Sequence, residues 1–165
     1  MKGNNVNLQL EKQLHENLKK KKSIKQAVID FQVQKGDDYT HEVTLTFPKQ
    51  PKTRWYAEKD YAKFQKFLIE RCYKRKDKER IKMAVMLEGE LKDNLHYHCA
   101  LRCPKHMSNA KFANRIAKTW KDVVGNKSAR VKIKKYTDKG WLSYSAKEVS
   151  FNNTDVFSEN NVCDI

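Results

Sequence analysis

Residues 82–103 read KMAVMLEGELKDNLHYHCALRC, and the fold turns on how this stretch is paired. Lys82 to Glu88 is a short apolar run, Gly89 to Asn94 is polar and turn-like, and Leu95 to Cys103 is a second strand pattern ended by Pro104. Two strand patterns joined by a short polar segment predict an antiparallel hairpin. His96 and His98 flank Tyr97, and side chains two apart on a strand project from one face. On a helix the same spacing would splay the imidazoles, so the strand assignment matters to their chemistry.

Outward from the hairpin, His41 to Phe47 (HEVTLTF) alternates as a strand, with Val43, Leu45 and Phe47 on one face and Pro48 and Pro51 ending it. Tyr56 to Lys76 is predicted helical, with Tyr61, Phe64, Phe67, Leu68 and Cys72 as its apolar stripe. After the hairpin, Ser108 is placed to cap a helix reaching about Val123, with Phe112, Ile116 and Trp120 inward. Ala129 to Ile133 reads as a strand, and Thr137 or Asp138 begins a last helix through about Val149. The order strand, helix, strand, strand, helix, strand, helix predicts an α+β fold: a central antiparallel sheet with flanking helices, of the split βαβ ferredoxin-like type.

Asn7 to Phe31 reads as helical around the run Lys19–Lys22, with Ser23 capping its second part, and Gly36-Asp37-Asp38 signals a turn. The expected organisation is a basic helical arm over 1–35, one domain over 36–149, and an acidic polar tail over 150–165. The chain has 165 residues and a formal net charge of +15, unevenly placed. Glu148, Asp155, Glu159 and Asp164 follow Lys147, and no Lys or Arg does, so residues 1–147 carry a net +19. An excess of this size points to a polyanionic partner, because each neutralised phosphate releases counterions. Basic residues with interleaved aromatics grip backbone and stack bases. Lys49, Lys52, Arg54 and Trp55, and then Lys132, Lys134 and Lys135, are the candidate DNA contacts.

No stretch is apolar enough to span a bilayer, and Met1 to Leu10 lacks a signal-peptide core, so a soluble cytoplasmic protein with no membrane partner is expected. Cys72, Cys99, Cys103 and Cys163 form no CxxC pair and read as free thiols. Cys99, Cys103 and His106 lack a fourth ligand at sensible spacing for zinc.

His96 and His98 together can hold one divalent cation, and Glu88, at the end of the preceding strand, offers a carboxylate beside them if the hairpin closes there. Two imidazoles and a carboxylate suit Mn²⁺ or Mg²⁺ and leave open positions for a phosphate oxygen. Glu90 shares strand parity with Glu88 but falls in the turn, which makes it second choice. Tyr144 and Lys147 lie three apart on the last helix pattern and share a face. A tyrosine can attack a phosphodiester and keep the phosphate covalently. Its phenol needs a metal or an ammonium nearby to lose a proton.

Three segments resemble, in order, the motifs of the HUH endonucleases, the replication initiators of rolling-circle plasmids and single-stranded DNA viruses. They are VTLTF (43–47), LEGELKDNLHYHCAL (87–101) and YSAKE (144–148). LHYHCALRCP and GWLSYSAKE are closest to the phage-type initiators. The resemblance implies an RRM-like form of the ferredoxin-like sheet, with Glu88, His96 and His98 as metal ligands. It makes Tyr144 the nucleophile and Lys147 its helper. It implies nicking of single-stranded DNA at an origin, a 5′-phosphotyrosyl link, and later rejoining. The partners implied are an origin strand, in hairpin form, with a helicase and a polymerase supplied by the host or another chain, since no Walker motif is present. A single tyrosine occupies the third motif, and Tyr136 reads as structural or DNA-facing. Two alternatives stand: an HUH transposase or mobilisation relaxase, and a non-catalytic nucleic-acid-binding module.

Overall fold

In the computed structural model, residues 39–74, 80–89 and 94–137 are described, together with positions 16, 26 and 30. The elements are β1 (His41–Thr46), α1 (Arg54–Cys72), β2 (Met83–Glu88), β3 (His96–Leu101), α2 (Asn109–Val123) and β4 (Val131–Lys135). The strands form one antiparallel sheet in the order β2-β3-β1-β4, so each strand–helix–strand unit skips over a neighbour. This is the split βαβ arrangement that the element order predicts. The expected arm over 1–35 lies almost wholly outside the described residues. The last helix, with Tyr144 and Lys147, the tail over 150–165, and Glu90 lie outside them too.

Each element follows from its own residues. β1 alternates buried and half-buried positions, with Val43 and Leu45 inward and Phe47 continuing that row beyond the strand. β2 is buried at every position, which is why its sequence is a continuous apolar run without alternation. In α1 the buried face is Ala57, Tyr61, Phe64, Leu68 and Cys72, spaced by three or four residues. Phe67, expected in this stripe, is instead 37% exposed, because it lies one position off the inward row and Ala57 fills the first turn. The helix ends at Cys72 rather than near Lys76. α2 starts where Ser108 predicts: its hydroxyl accepts a hydrogen bond from the Lys111 amide at 3.3 Å.

Both helices cover the same face of the sheet. Tyr61 of α1 stacks on Tyr97 of β3 with ring centroids 4.5 Å apart, and Trp120 of α2 meets Phe47 at 5.1 Å. Trp120 is fully buried, and its indole N–H donates to the Thr46 carbonyl at 2.9 Å. Arg71 ties the helices together, donating to Thr119 Oγ1 at 2.9 Å and to Asp122 at 2.7 Å.

β4 falls two residues later than the Ala129–Ile133 expectation. Its bounds are set by pairing along β1, from Leu45 opposite Val131 to His41 opposite Lys135, and not by its own apolar residues. Cys72, Cys99 and Cys103 are free and buried. Burial raises the Cys72 thiol to about 11 and the Cys99 thiol to about 12, as unreactive core cysteines require. Among the described residues, no helix is long and apolar enough to cross a membrane.

Candidate metal centre

The β2–β3 register puts Glu88 directly opposite His96 and Met86 opposite His98. The β1–β3 register puts Thr46 opposite His96 and Thr44 opposite His98. All of these project from the face of the sheet that α1 and α2 do not cover, because the intervening Leu87, Tyr97 and Leu45 belong to the core under the helices. Tyr97 thus separates the two histidines and anchors them: its ring is buried between Tyr61, Phe47 and Trp120, and burial pushes its phenol far above the usual range.

Glu88, His96 and His98 each offer one ligand atom within 4.8 Å of the others. The Glu88 Oε2 atom lies 3.8 Å from His96 Nε2 and 3.7 Å from His98 Nε2. Two metal–ligand bonds of about 2.0–2.2 Å span up to about 4.4 Å, so these two separations let one ion bridge the carboxylate to either imidazole. Glu88 is fully buried, while the histidine side chains keep 18% and 12% of their surface. A carboxylate and two imidazoles together are a donor set that suits a divalent cation. Of the three, only the imidazoles reach solvent.

The histidines are oriented by atoms outside the ligand set. His96 Nδ1 lies 2.7 Å from the Asn94 carbonyl oxygen, which can only accept; Nδ1 therefore carries a proton, and in the neutral ring the lone pair falls on Nε2. His98 Nδ1 lies 3.3 Å from Thr44 Oγ1, which can accept in the same way. The Asn94 carbonyl owes its position to Gly89. Gly89 has φ +90°, and the Asn94 amide donates to the Gly89 carbonyl at 3.0 Å. A Cβ at Gly89 would sit 1.9 Å from the Asn94 carbonyl oxygen. Only glycine permits both the backbone angle and the approach.

Of the expected DNA contacts, Lys132 and Lys134 share the metal face, opposite Thr44 and Glu42 of β1, and both are exposed. Lys135 pairs with His41 and so has the parity of the helix-covered face. Lys49, Lys52, Arg54 and Trp55 lie between β1 and the first turn of α1. Arg54 is engaged by Glu58 at 2.8 Å, and Trp55, 59% exposed, carries the Lys59 ammonium 4.9 Å from its ring centroid. The zinc reading fails on geometry: His106 Nε2 is 2.9 Å from the Cys72 carbonyl oxygen, and Cys99 and Cys103 join no ligand cluster among the described residues. Tyr136 is structural, packed edge-on against Tyr39 with centroids 5.6 Å apart, beside Ala84 and Ala100. Sequence reasoning missed Asn94, Thr44 and Gly89; a glycine after the acid was its only visible signal.

A family model described as replication-associated protein ORF2/gene II protein matches residues 40–152. No curated protein matches the chain. Among solved structures, the chain is similar to the hypothetical protein ORF119 from Sulfolobus islandicus rod-shaped virus 1. That likeness has 17% identity and a TM-score of 0.44, and it covers 74% of this chain and 90% of the viral one.

Proposed function

The chain belongs to this family of replication-associated proteins, the ORF2/gene II protein family, and from that premise we propose that it is a replication initiator endonuclease acting on single-stranded DNA. The observation that carries this reading is the convergence of Glu88, His96 and His98 on the sheet face away from α1 and α2, in a strongly basic chain.

The ligand set fits Mn²⁺ or Mg²⁺, which when bound would polarise the scissile phosphate. Glu88, His96 and His98 would hold it, and the DNA would approach from the side of the partly exposed histidines. Tyr144 is the nucleophile. Its phenol oxygen forms a new bond to phosphorus, the bond from phosphorus to the 3′ oxygen breaks, and the phenol proton is balanced by the one the 3′ oxygen takes up. Lys147, three residues after Tyr144 in the third motif, stabilises the charge that develops. The product pair is a 5′-phosphotyrosine and a free 3′ hydroxyl. One ester replaces another, so attack by a 3′ hydroxyl reverses the step and rejoins strands without ATP. Lys49, Lys52, Arg54, Trp55, Lys132, Lys134 and Lys135 are proposed to hold the strand, which is supplied as an origin hairpin. Helicase and polymerase come from other chains.

Incubation of the purified chain with labelled origin strand and Mn²⁺ tests this reading. A covalent adduct is expected, lost in Tyr144→Phe. His96→Ala and His98→Ala should lose the adduct and keep salt-sensitive DNA binding. Tight binding without any adduct would establish the non-catalytic binding module instead.

A further inference from the structure

The metal centre leaves a groove at the same end of the sheet unexplained. The groove has a volume of about 510 Å³ and lies between the β1–α1 connection and the end of α2. Phe47, Tyr56 and Val124 supply apolar walls, Asn126 an amide, and Lys49 and Lys52 ammonium groups. Tyr56 is 47% exposed, so its ring has a face open to a ligand.

The groove and the metal site share one end of the sheet but lie on opposite faces, so a strand reaching both would pass around that end. Thr46 pairs with His96, and Phe47, the next residue, lines the groove. At a strand spacing of about 4.8 Å and a rise of about 3.3 Å per residue, the Phe47 backbone lies about 6 Å from that of His96, with its side chain turned to the other face. Gln50 fixes the junction: its Oε1 accepts from the Leu95 amide at 2.7 Å, next to the Asn94 carbonyl that orients His96.

The chemistry selects the occupant. Asp60 also lines the groove, which disfavours a phosphate inside it and leaves the exposed Lys49 and Lys52 as the place for backbone charge. A flat ring fits against the exposed ring of Tyr56, above the apolar floor that Phe47 and Val124 form. Asn126 Oδ1 is taken by the Ser128 amide and hydroxyl at 2.8 and 2.7 Å, so its amide N–H groups can donate to a carbonyl on a base edge. We propose that this groove holds one unstacked nucleobase of the strand that enters the metal centre. The proposal deepens the nuclease reading and rests on it for the identity of the strand.

The test compares the affinity of the full chain for oligo(dT) and for an equally long abasic strand, by fluorescence anisotropy without added metal. Wild type should prefer oligo(dT) by about tenfold, the ordinary weight of one stacked base. Tyr56→Ala should erase the preference and leave abasic binding unchanged, while Tyr56→Phe, which keeps the ring, should retain it. Lys49→Ala with Lys52→Ala should weaken both strands alike. Photocrosslinking with 5-iododeoxyuridine should label Tyr56. A preference untouched by Tyr56→Ala, an equal loss on both strands, or labelling confined to Trp55 overturns the proposal. If the Mn²⁺-dependent adduct still forms in that case, the groove fails and the nuclease stands. If no adduct forms and the base preference depends on Tyr56, the nicking reading fails and the groove stands. If neither strand binds, both fail.

Discussion

Replacing Gly89 by alanine tests the coupling between the β2–β3 turn and the metal centre. The new methyl would lie 1.9 Å from the Asn94 carbonyl oxygen and at φ +90°, so the turn must open. The backbone angle costs about 1–3 kcal/mol for a residue with a Cβ. Loss of the Asn94–Gly89 hydrogen bond costs about 1 kcal/mol more. Moving the carbonyl also removes the acceptor that holds the His96 Nδ1 proton. Loss of such an outer partner typically weakens metal binding by about 10- to 100-fold. Isothermal titration with Mn²⁺ reads this directly, and thermal unfolding gives the backbone cost in parallel. Asn94→Ala is the control, because it keeps the carbonyl and deletes only the side chain; its Mn²⁺ affinity should stay within about threefold of wild type, well short of the loss of an outer partner. Unchanged Mn²⁺ affinity in Gly89→Ala, or an equal loss in Asn94→Ala, would refute the reasoning.

Three further outcomes are expected. Trp120→Ala should lower stability by about 3–5 kcal/mol in urea unfolding, since the indole is fully buried and its N–H is bonded; a loss below about 1 kcal/mol would contradict its place in the core. Ser108→Ala should cost about 1 kcal/mol, read the same way, and leave Mn²⁺ affinity unchanged. Burial lowers the His41 pKa, against a smaller upward pull from the Asn109 carbonyl. The unfolded chain therefore takes up this proton first, and the stability present above about pH 6.5 is lost as the pH falls toward the folded value. His41→Phe should flatten the melting temperature across that window, and an unchanged acid slope would assign the sensitivity elsewhere.

The hairpin was legible because strand parity alone places His96 and His98 together, and because Glu88 is the last residue of an apolar run. The Ser108 cap and the Phe112, Ile116 and Trp120 row were legible for the same kind of reason: side-chain chemistry at a fixed period. What could not be read depends on tertiary partners. Ala57 is fully buried and Phe67 is not, yet neither residue type declares its side of a helix. The limits of β4 come from β1. The Asn94 carbonyl that sets the His96 tautomer is backbone, so it leaves no mark in the side-chain sequence. Gln50 sits between Pro48 and Pro51 in a stretch that reads only as a connection, although its amide joins that connection to Leu95.

Glu88 and His96 occupy one rung of a ladder, with His98 on the next rung of the same side. Rungs, unlike loops, have no adjustable length. Residues can therefore be gained or lost between Gly89 and Asn94 without moving the acid from the imidazoles. A single residue added within Met83–Glu88 would send the carboxylate to the opposite side of the sheet. A signature for distant kin should leave the gap between acid and histidines elastic and hold the odd–even count of each strand fixed.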